Sequence, residues 1–121
     1  MVKALFDTNI LIDYLNGFTQ AKTEIERFQD KAISLITWME VMVGATSDNE
    51  EIIRDFLNEF VMLPVDLEVG ALAVKLRRKL RMKLPDAIIL ASAQSDHRIL
   101  VTRNIKDFTS DDPGIRIPYS L

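Results

Sequence analysis

The sequence has 121 residues, is 48% hydrophobic and 27% charged, and carries a formal net charge of −3 at pH 7. These values suit one ordinary globular domain over 1–121, long enough to bury a core without crosslinks, and they argue against whole-surface nucleic-acid binding while leaving local basic patches open. With no cysteine and one histidine, His97, disulfides, thiolate catalysis and multi-His or Cys metal sites are excluded, so a metal would be held through oxygen, which favours Mg²⁺ or Mn²⁺.

Lys3 to Phe6 reads as a short buried strand, and Asn9 to Leu15 as a helix that Asp7 or Thr8 can cap, closed by Asn16-Gly17. A second helix is predicted over Thr19 to Asp30, with Ile25 and Phe28 inward, and a second strand over Ala32 to Ile36. Trp38 to Ala45 follows as a helix, with Thr37 and Glu40 in the spacing of a capping box. Ser47 and Glu50 repeat that spacing before a helix over Glu51 to Phe60. Val61 to Val65 is a third strand, which Pro64 places at a sheet edge. A helix over Asp66 to Arg81 stacks Leu72, Leu76 and Leu80, and Pro85 opens another helix that runs to Ser95. Ile99 to Val101 is a fourth strand and Ile115 to Ile117 a candidate fifth. No apolar stretch nears the ~18 residues that span a bilayer, and the N-terminus lacks signal-peptide features, so the expectation is a cytoplasmic protein with no membrane partner.

Strands alternating with helices imply an α/β fold of three layers, α/β/α, around a central parallel sheet of four to five strands. Ligands bind such sheets beyond the C-terminal strand ends. Four acidic residues follow apolar runs: Asp7, Glu40, Asp86 and Asp107. Each has a structural reading as a helix-start or loop residue, because negative charge favours the first turn of a helix. Together they point to a pocket of carboxylates, and carboxylates that crowd together repel unless a cation lies between them. The chemistry this suggests is metal-assisted phosphodiester hydrolysis.

The segments around these acids are familiar. Leu5-Phe6-Asp7-Thr8-Asn9-Ile10-Leu11-Ile12 resembles the opening motif of PIN domains, and Ile36-Thr37-Trp38-Met39-Glu40-Val41 with Gly44 resembles the second. Leu84-Pro85-Asp86-Ala87-Ile88-Ile89-Leu90-Ala91 resembles the third, and Val101-Thr102-Arg103-Asn104-Ile105-Lys106-Asp107-Phe108 the fourth. Their order and spacing resemble the VapC-like branch over essentially the whole chain. The resemblance implies a PIN-like fold and a Mg²⁺- or Mn²⁺-dependent endoribonuclease, the toxin of a toxin–antitoxin pair. It also implies a homodimer, an RNA substrate and a small VapB-like antitoxin whose C-terminal segment covers the active site. Asp7, Glu40 and Asp86 carry over as the acidic, metal-holding core. The fourth position stays open between Asn104, where many PIN domains have Asp, and Asp107.

Thr8 and Thr102 are candidates to position phosphate or water, with turn and cap chemistry the alternative role. Six cations lie within nine residues from Lys75 to Lys83, and Arg78 and Arg81 among them are candidates for substrate phosphate contact. Arg103, inside the fourth motif, is another. Two rival functions remain. One is a catalytically silent PIN-fold RNA-binding or scaffold protein. The other is an aspartate-based phosphatase, for which Asn9 stands where a second carboxylate is usual.

Overall fold

The computed structural model describes residues 2–121. The chain runs β1 (Lys3–Phe6), α1 (Thr8–Leu15), α2 (Thr19–Glu26), β2 (Asp30–Ser34), α3 (Leu35–Val43), α4 (Glu50–Leu57) and β3 (Val61–Leu63). It continues with α5 (Leu67–Leu80), α6 (Leu84–Ser95), β4 (Ile99–Val101) and β5 (Ile115–Arg116). The five strands pair in parallel in the order β3-β2-β1-β4-β5. The predicted edge position of β3 and the fifth strand are both present.

The local boundaries have identifiable causes. Helix α2 stops at Glu26, short of the predicted Asp30, because Asp30 and Lys31 pair with Lys3 and Ala4 in the sheet. Helix α3 begins at Leu35, earlier than expected, with the Ser34 hydroxyl accepting from the Ile36 N–H at 3.3 Å. Thr37 and Glu40 are therefore not a capping box; they sit inside the helix, three residues apart on one face. The Ser47–Glu50 box is also absent. The Asn49 side chain accepts from the Thr46 N–H at 2.7 Å instead, and Glu50 pairs with Arg54 at 2.9 Å. Helix α5 has its cap where the sequence placed its start, with Asp66 accepting from the Val69 N–H at 2.9 Å. Its buried face is Val69, Ala73 and Leu76, whereas Leu80 is exposed.

The alternation of side chains along the strands divides the core into two halves. Ala4, Phe6, Ile33 and Val101 face a cluster supplied by α1 to α4, with Ile10, Leu11, Ile25, Phe56 and Leu57 buried there. Leu5, Leu100 and Ile115 face the other side, against Val69, Ala73, Leu76, Ile89 and Leu90 of α5 and α6. The result is a three-layer α/β/α fold. Because both faces of the sheet are covered, β1 is apolar and buried without alternation from Ala4 to Phe6. At the N-terminal strand ends the buried Arg98 guanidinium, just before β4, ties β1 and β2 to the end of α6. It donates to the Ala4 carbonyl at 3.2 Å and to Asp30 at 2.8 Å, and its Nε reaches Asp96 at 2.6 Å.

Phe6 is the central side chain of the first half. It is fully buried and meets Phe28 and Phe60 edge to face, with ring centroids 5.8 and 5.9 Å apart. Phe6→Ala should lower the unfolding free energy by about 3–5 kcal/mol, the usual range for a buried aromatic truncated in a packed core. Urea denaturation checks this; a loss under ~1 kcal/mol would show that the two rings can collapse into the space.

Candidate active site

The strand order reverses between β1 and β4. From β1 the chain moves to β2 and β3 on one side, then returns through α5 and α6 to place β4 on the other. In open α/β sheets the crevice beyond such a reversal is where ligands bind. Here Phe6 pairs with Val101, and the Asp7 N–H donates to the Val101 carbonyl at 2.9 Å, so Asp7 and Thr102 leave the sheet side by side.

Asp7 caps α1 and is only 4% exposed. Its Oδ1 accepts from the Thr8 N–H at 2.7 Å, and its Oδ2 accepts from the Thr102 hydroxyl at 2.7 Å and the Asn9 side-chain amide at 3.2 Å. Glu40 approaches from α3. The Thr8 hydroxyl donates to Glu40 Oε1 at 2.7 Å and lies 3.1 Å from the hydroxyl of buried Thr37. Asp86 is the third residue of α6, half-buried, with its carboxyl against that of Asp107.

The loop after β4 separates the roles of Asn104 and Asp107. The Asn104 carbonyl oxygen accepts from the backbone N–H groups of Lys106 at 3.1 Å and Asp107 at 3.3 Å, which turns the loop. Its amide donates to Asp107 Oδ2 at 2.9 Å. Asp107 thus presents the fourth acidic group to Asp86, and Asn104 holds it there.

The cations are distributed differently from the sequence expectation. The Arg103 guanidinium is bound to Asp13 through Nε at 2.7 Å and Nη2 at 2.9 Å. Arg78 and Arg81 are exposed at the C-terminal end of α5, where Arg81 adopts a left-handed conformation at φ 57°. Lys83, at the N-cap position of α6, acts electrostatically on both Asp86 and Asp107 and is the cation of that run tied to the acidic cleft. Lys83 and Asn9 are the residues the motifs underweighted. Asn9 lies two positions after Asp7 in the first turn of a helix, a placement that offered a signal only once the β4 exit was known to lie beside it.

A model of the PIN domain matches residues 4–109. The chain belongs to the PIN domain family. Its structure is similar to that of a toxin–antitoxin complex from Klebsiella pneumoniae, at 47% identity and a TM-score of 0.93, covering 98% of this chain and 100% of that one. The DNA-bound VapBC from Salmonella typhimurium matches at 25% identity and a TM-score of 0.78, covering 96% of each chain. FitAcB from Neisseria gonorrhoeae, at 21% identity and a TM-score of 0.81, covers 98% of this chain and 99% of its own and shares the fold. No curated protein matches the chain.

In this PIN domain burial and neighbouring acids raise the proton affinity of Asp7 and Asp86, while that of Asp107 falls. Burial lifts the Asp7 pKa above the usual carboxylate range, and repulsion from Glu40 adds to it, against the hydrogen bonds from Thr102, Thr8 and Asn9. Asp86 is pushed up to about 7, by burial first, then by its hydrogen bond with Asp107 and repulsion from Asp7 and Asp107. Asp107 is held below the ordinary range by the Asn104 amide and by the proton it shares with Asp86. The two carboxyls are hydrogen-bonded and titrate as a pair.

Among the described residues no three acidic or histidine side chains close around one point to enclose an ion. The donor set nevertheless suits a hard cation that keeps several waters and takes few protein ligands. Asp7 has one carboxylate oxygen engaged by a single donor, and Asp86 has no guanidinium or ammonium hydrogen-bonded to it among the described residues. Asp7 and Asp86 are therefore the carboxylates whose surroundings would leave lone pairs for such an ion.

In the metal-free protein, Asp107→Asn should bring the Asp86 carboxyl down from about 7 toward its ordinary 3.8, although burial keeps part of the rise. A carbon-13 carboxyl NMR titration reads this directly. The stability linkage has a defined sign. Folded Asp86 binds its proton more tightly than the unfolded chain does, so stability should fall as pH rises from about 3.8 through about 7, and Asp107→Asn should flatten that slope.

Proposed function

We propose that this PIN domain is a metal-dependent endoribonuclease that hydrolyses RNA phosphodiester bonds, and that it is the toxin of a VapBC-type toxin–antitoxin pair. The observation that carries the reading is geometric: buried Asp7, bonded to the Thr102 hydroxyl at 2.7 Å at the strand reversal, has Glu40 joined to it through Thr8 and the hydrogen-bonded Asp86–Asp107 pair on its other side. Such a set is stable in its charged form only with a cation among its members. Mg²⁺ or Mn²⁺, when bound, would supply an acidified water and neutralise charge on the phosphate under attack.

The protein's own groups divide the remaining work. Asp7 is held rigidly by Thr8, Asn9 and Thr102, so its free lone pairs point in one direction. Glu40, oriented by the Thr8 hydroxyl, is placed to accept a proton from a water in the cleft. Asp107 keeps Asp86 in position, and Lys83 and Lys106 beside the pair offer ammonium groups to the RNA backbone. Arg78 and Arg81 extend this basic surface along α5. Asn9 counts against phosphatase chemistry, since its amide donates to Asp7 and has no proton to exchange as an acid would. The toxin reading is supported by the 47% identity to a chain described as part of a toxin–antitoxin complex. It brings with it a small antitoxin partner, a homodimer and a cytoplasmic setting.

Purified protein should cleave RNA in Mg²⁺ or Mn²⁺ and stop when EDTA is added. Asp7→Asn and Asp86→Asn should each lower the rate by more than the ~100-fold that loss of an outer-shell partner costs, with circular dichroism unchanged. Full activity in either variant would remove that carboxylate from the site. RNA binding without metal-dependent cleavage would favour a silent scaffold.

A further inference from the structure

Asp13 is a buried acid outside the cleft, 3% exposed, on α1. Its carboxylate accepts three hydrogen bonds from two distant segments. Arg103 Nε and Nη2 donate at 2.7 and 2.9 Å, and the Tyr119 hydroxyl donates at 2.8 Å. A two-point guanidinium–carboxylate pair fixes rotation as well as distance. Arg103 follows Thr102 directly, so whatever fixes Arg103 also fixes the strand exit that presents the Thr102 hydroxyl to Asp7.

A second contact ties the same residue to the cleft. The Arg103 backbone N–H donates to Asn9 Oδ1 at 3.1 Å. With its oxygen so engaged, the Asn9 amide has its nitrogen toward Asp7 Oδ2 at 3.2 Å and Thr102 Oγ1 at 3.3 Å. An amide that accepts on one side and donates on the other has one orientation available. Asn9 and Asp13 are four residues apart on α1 and share a face, so one helix face grips Arg103 by its backbone and its side chain.

We propose that Asp13, Arg103 and Tyr119 are positioning residues for the Asp7 carboxylate, acting through Asn9 and Thr102, and that Arg103 does not contact RNA. The inference rests on the reading of Asp7 as a metal-holding residue of a nuclease. It also gives the C-terminal segment a task, since Tyr119 bonds the carboxylate that holds Arg103.

The test uses the full chain and Mn²⁺ alone, with free Mn²⁺ counted by electron paramagnetic resonance. Arg103→Lys keeps the charge but loses the fork, Asp13→Asn weakens the acceptor, and Tyr119→Phe removes one donor. Arg103→Lys and Asp13→Asn should each weaken Mn²⁺ binding about tenfold or more, and Tyr119→Phe by less. The Asp13→Asn/Arg103→Lys double variant should be no weaker than the worse single. In RNA cleavage, kcat should drop with KM nearly unchanged, and the Asn9 side-chain amide signals should move in nitrogen-15 NMR spectra.

An Arg103→Lys protein with raised KM, unchanged Mn²⁺ affinity and unmoved Asn9 signals would make Arg103 a phosphate contact and overturn the proposal. A fall in thermal stability alone, with Mn²⁺ binding and Asn9 signals intact, would reduce the trio to structural support and overturn it equally. If Asp13→Asn does not fold, Tyr119→Phe, which leaves the ion pair in place, carries the comparison. If the wild-type protein neither binds Mn²⁺ nor cleaves RNA, the nuclease reading fails. The Asn9 signals of the metal-free variants then decide positioning, with movement supporting it and constancy refuting it.

Discussion

A single buried hydrogen bond, from the Thr102 hydroxyl to Asp7, joins residues 95 apart in the chain at 2.7 Å. It forms because β4 returns to lie beside β1, in the register that pairs Phe6 with Val101. That register depends in turn on both sheet faces being covered, since a one-residue slip would turn Leu5 and Phe6 to the wrong layers. The core, the strand order and the cleft are thus one constraint. The packing that buries Phe6 on one side and Leu5 on the other is what brings Asp7 and Thr102 together.

The protein treats its buried acids in two ways. Asp13 is matched by Arg103, and Glu24 by Arg116 in a two-point pair, while the buried Arg98 is matched by Asp30 and Asp96. These pairs satisfy charge where leaving it unpartnered would destabilise the fold. Buried Asp7 and half-buried Asp86 have no guanidinium partner among the described residues, and burial together with neighbouring acids raises their proton affinities. The contrast falls at the strand reversal, where a site is expected on topological grounds. Local violation of the rules that hold elsewhere in a structure is what function usually looks like.

Much of this was legible in one dimension. The strand and helix alternation, the edge position of β3 and the four acidic motifs could all be read from apolar periodicity, Pro64 and the residues around Asp7, Glu40, Asp86 and Asp107. Helix starts were less legible where several residues could serve as a cap. Thr37 was read as a cap, but it is buried beside the Thr8 hydroxyl and belongs inside α3, which Ser34 caps instead. The extension of β2 to Asp30 had the same origin, because its partner Lys3 lies 27 positions earlier.

By itself the sequence determined what kinds of chemistry were open. Without cysteine, and with a lone His97, the acids of four motifs were the remaining means of holding a metal, and apolar patterning set them at the ends of buried elements. Tertiary structure decided which neighbour each polar group would have. Asn104 and Asp107 were equivalent in the sequence, but in the turn the Asn104 side-chain oxygen is bonded to backbone N–H groups and the Asp107 carboxylate lies beside Asp86. Arg103 was read as a candidate for substrate, and its guanidinium is held by Asp13, 90 positions away. The physical reason is that periodicity encodes which side of an element is buried. A hydrogen bond between distant side chains depends on the register in which those elements are packed.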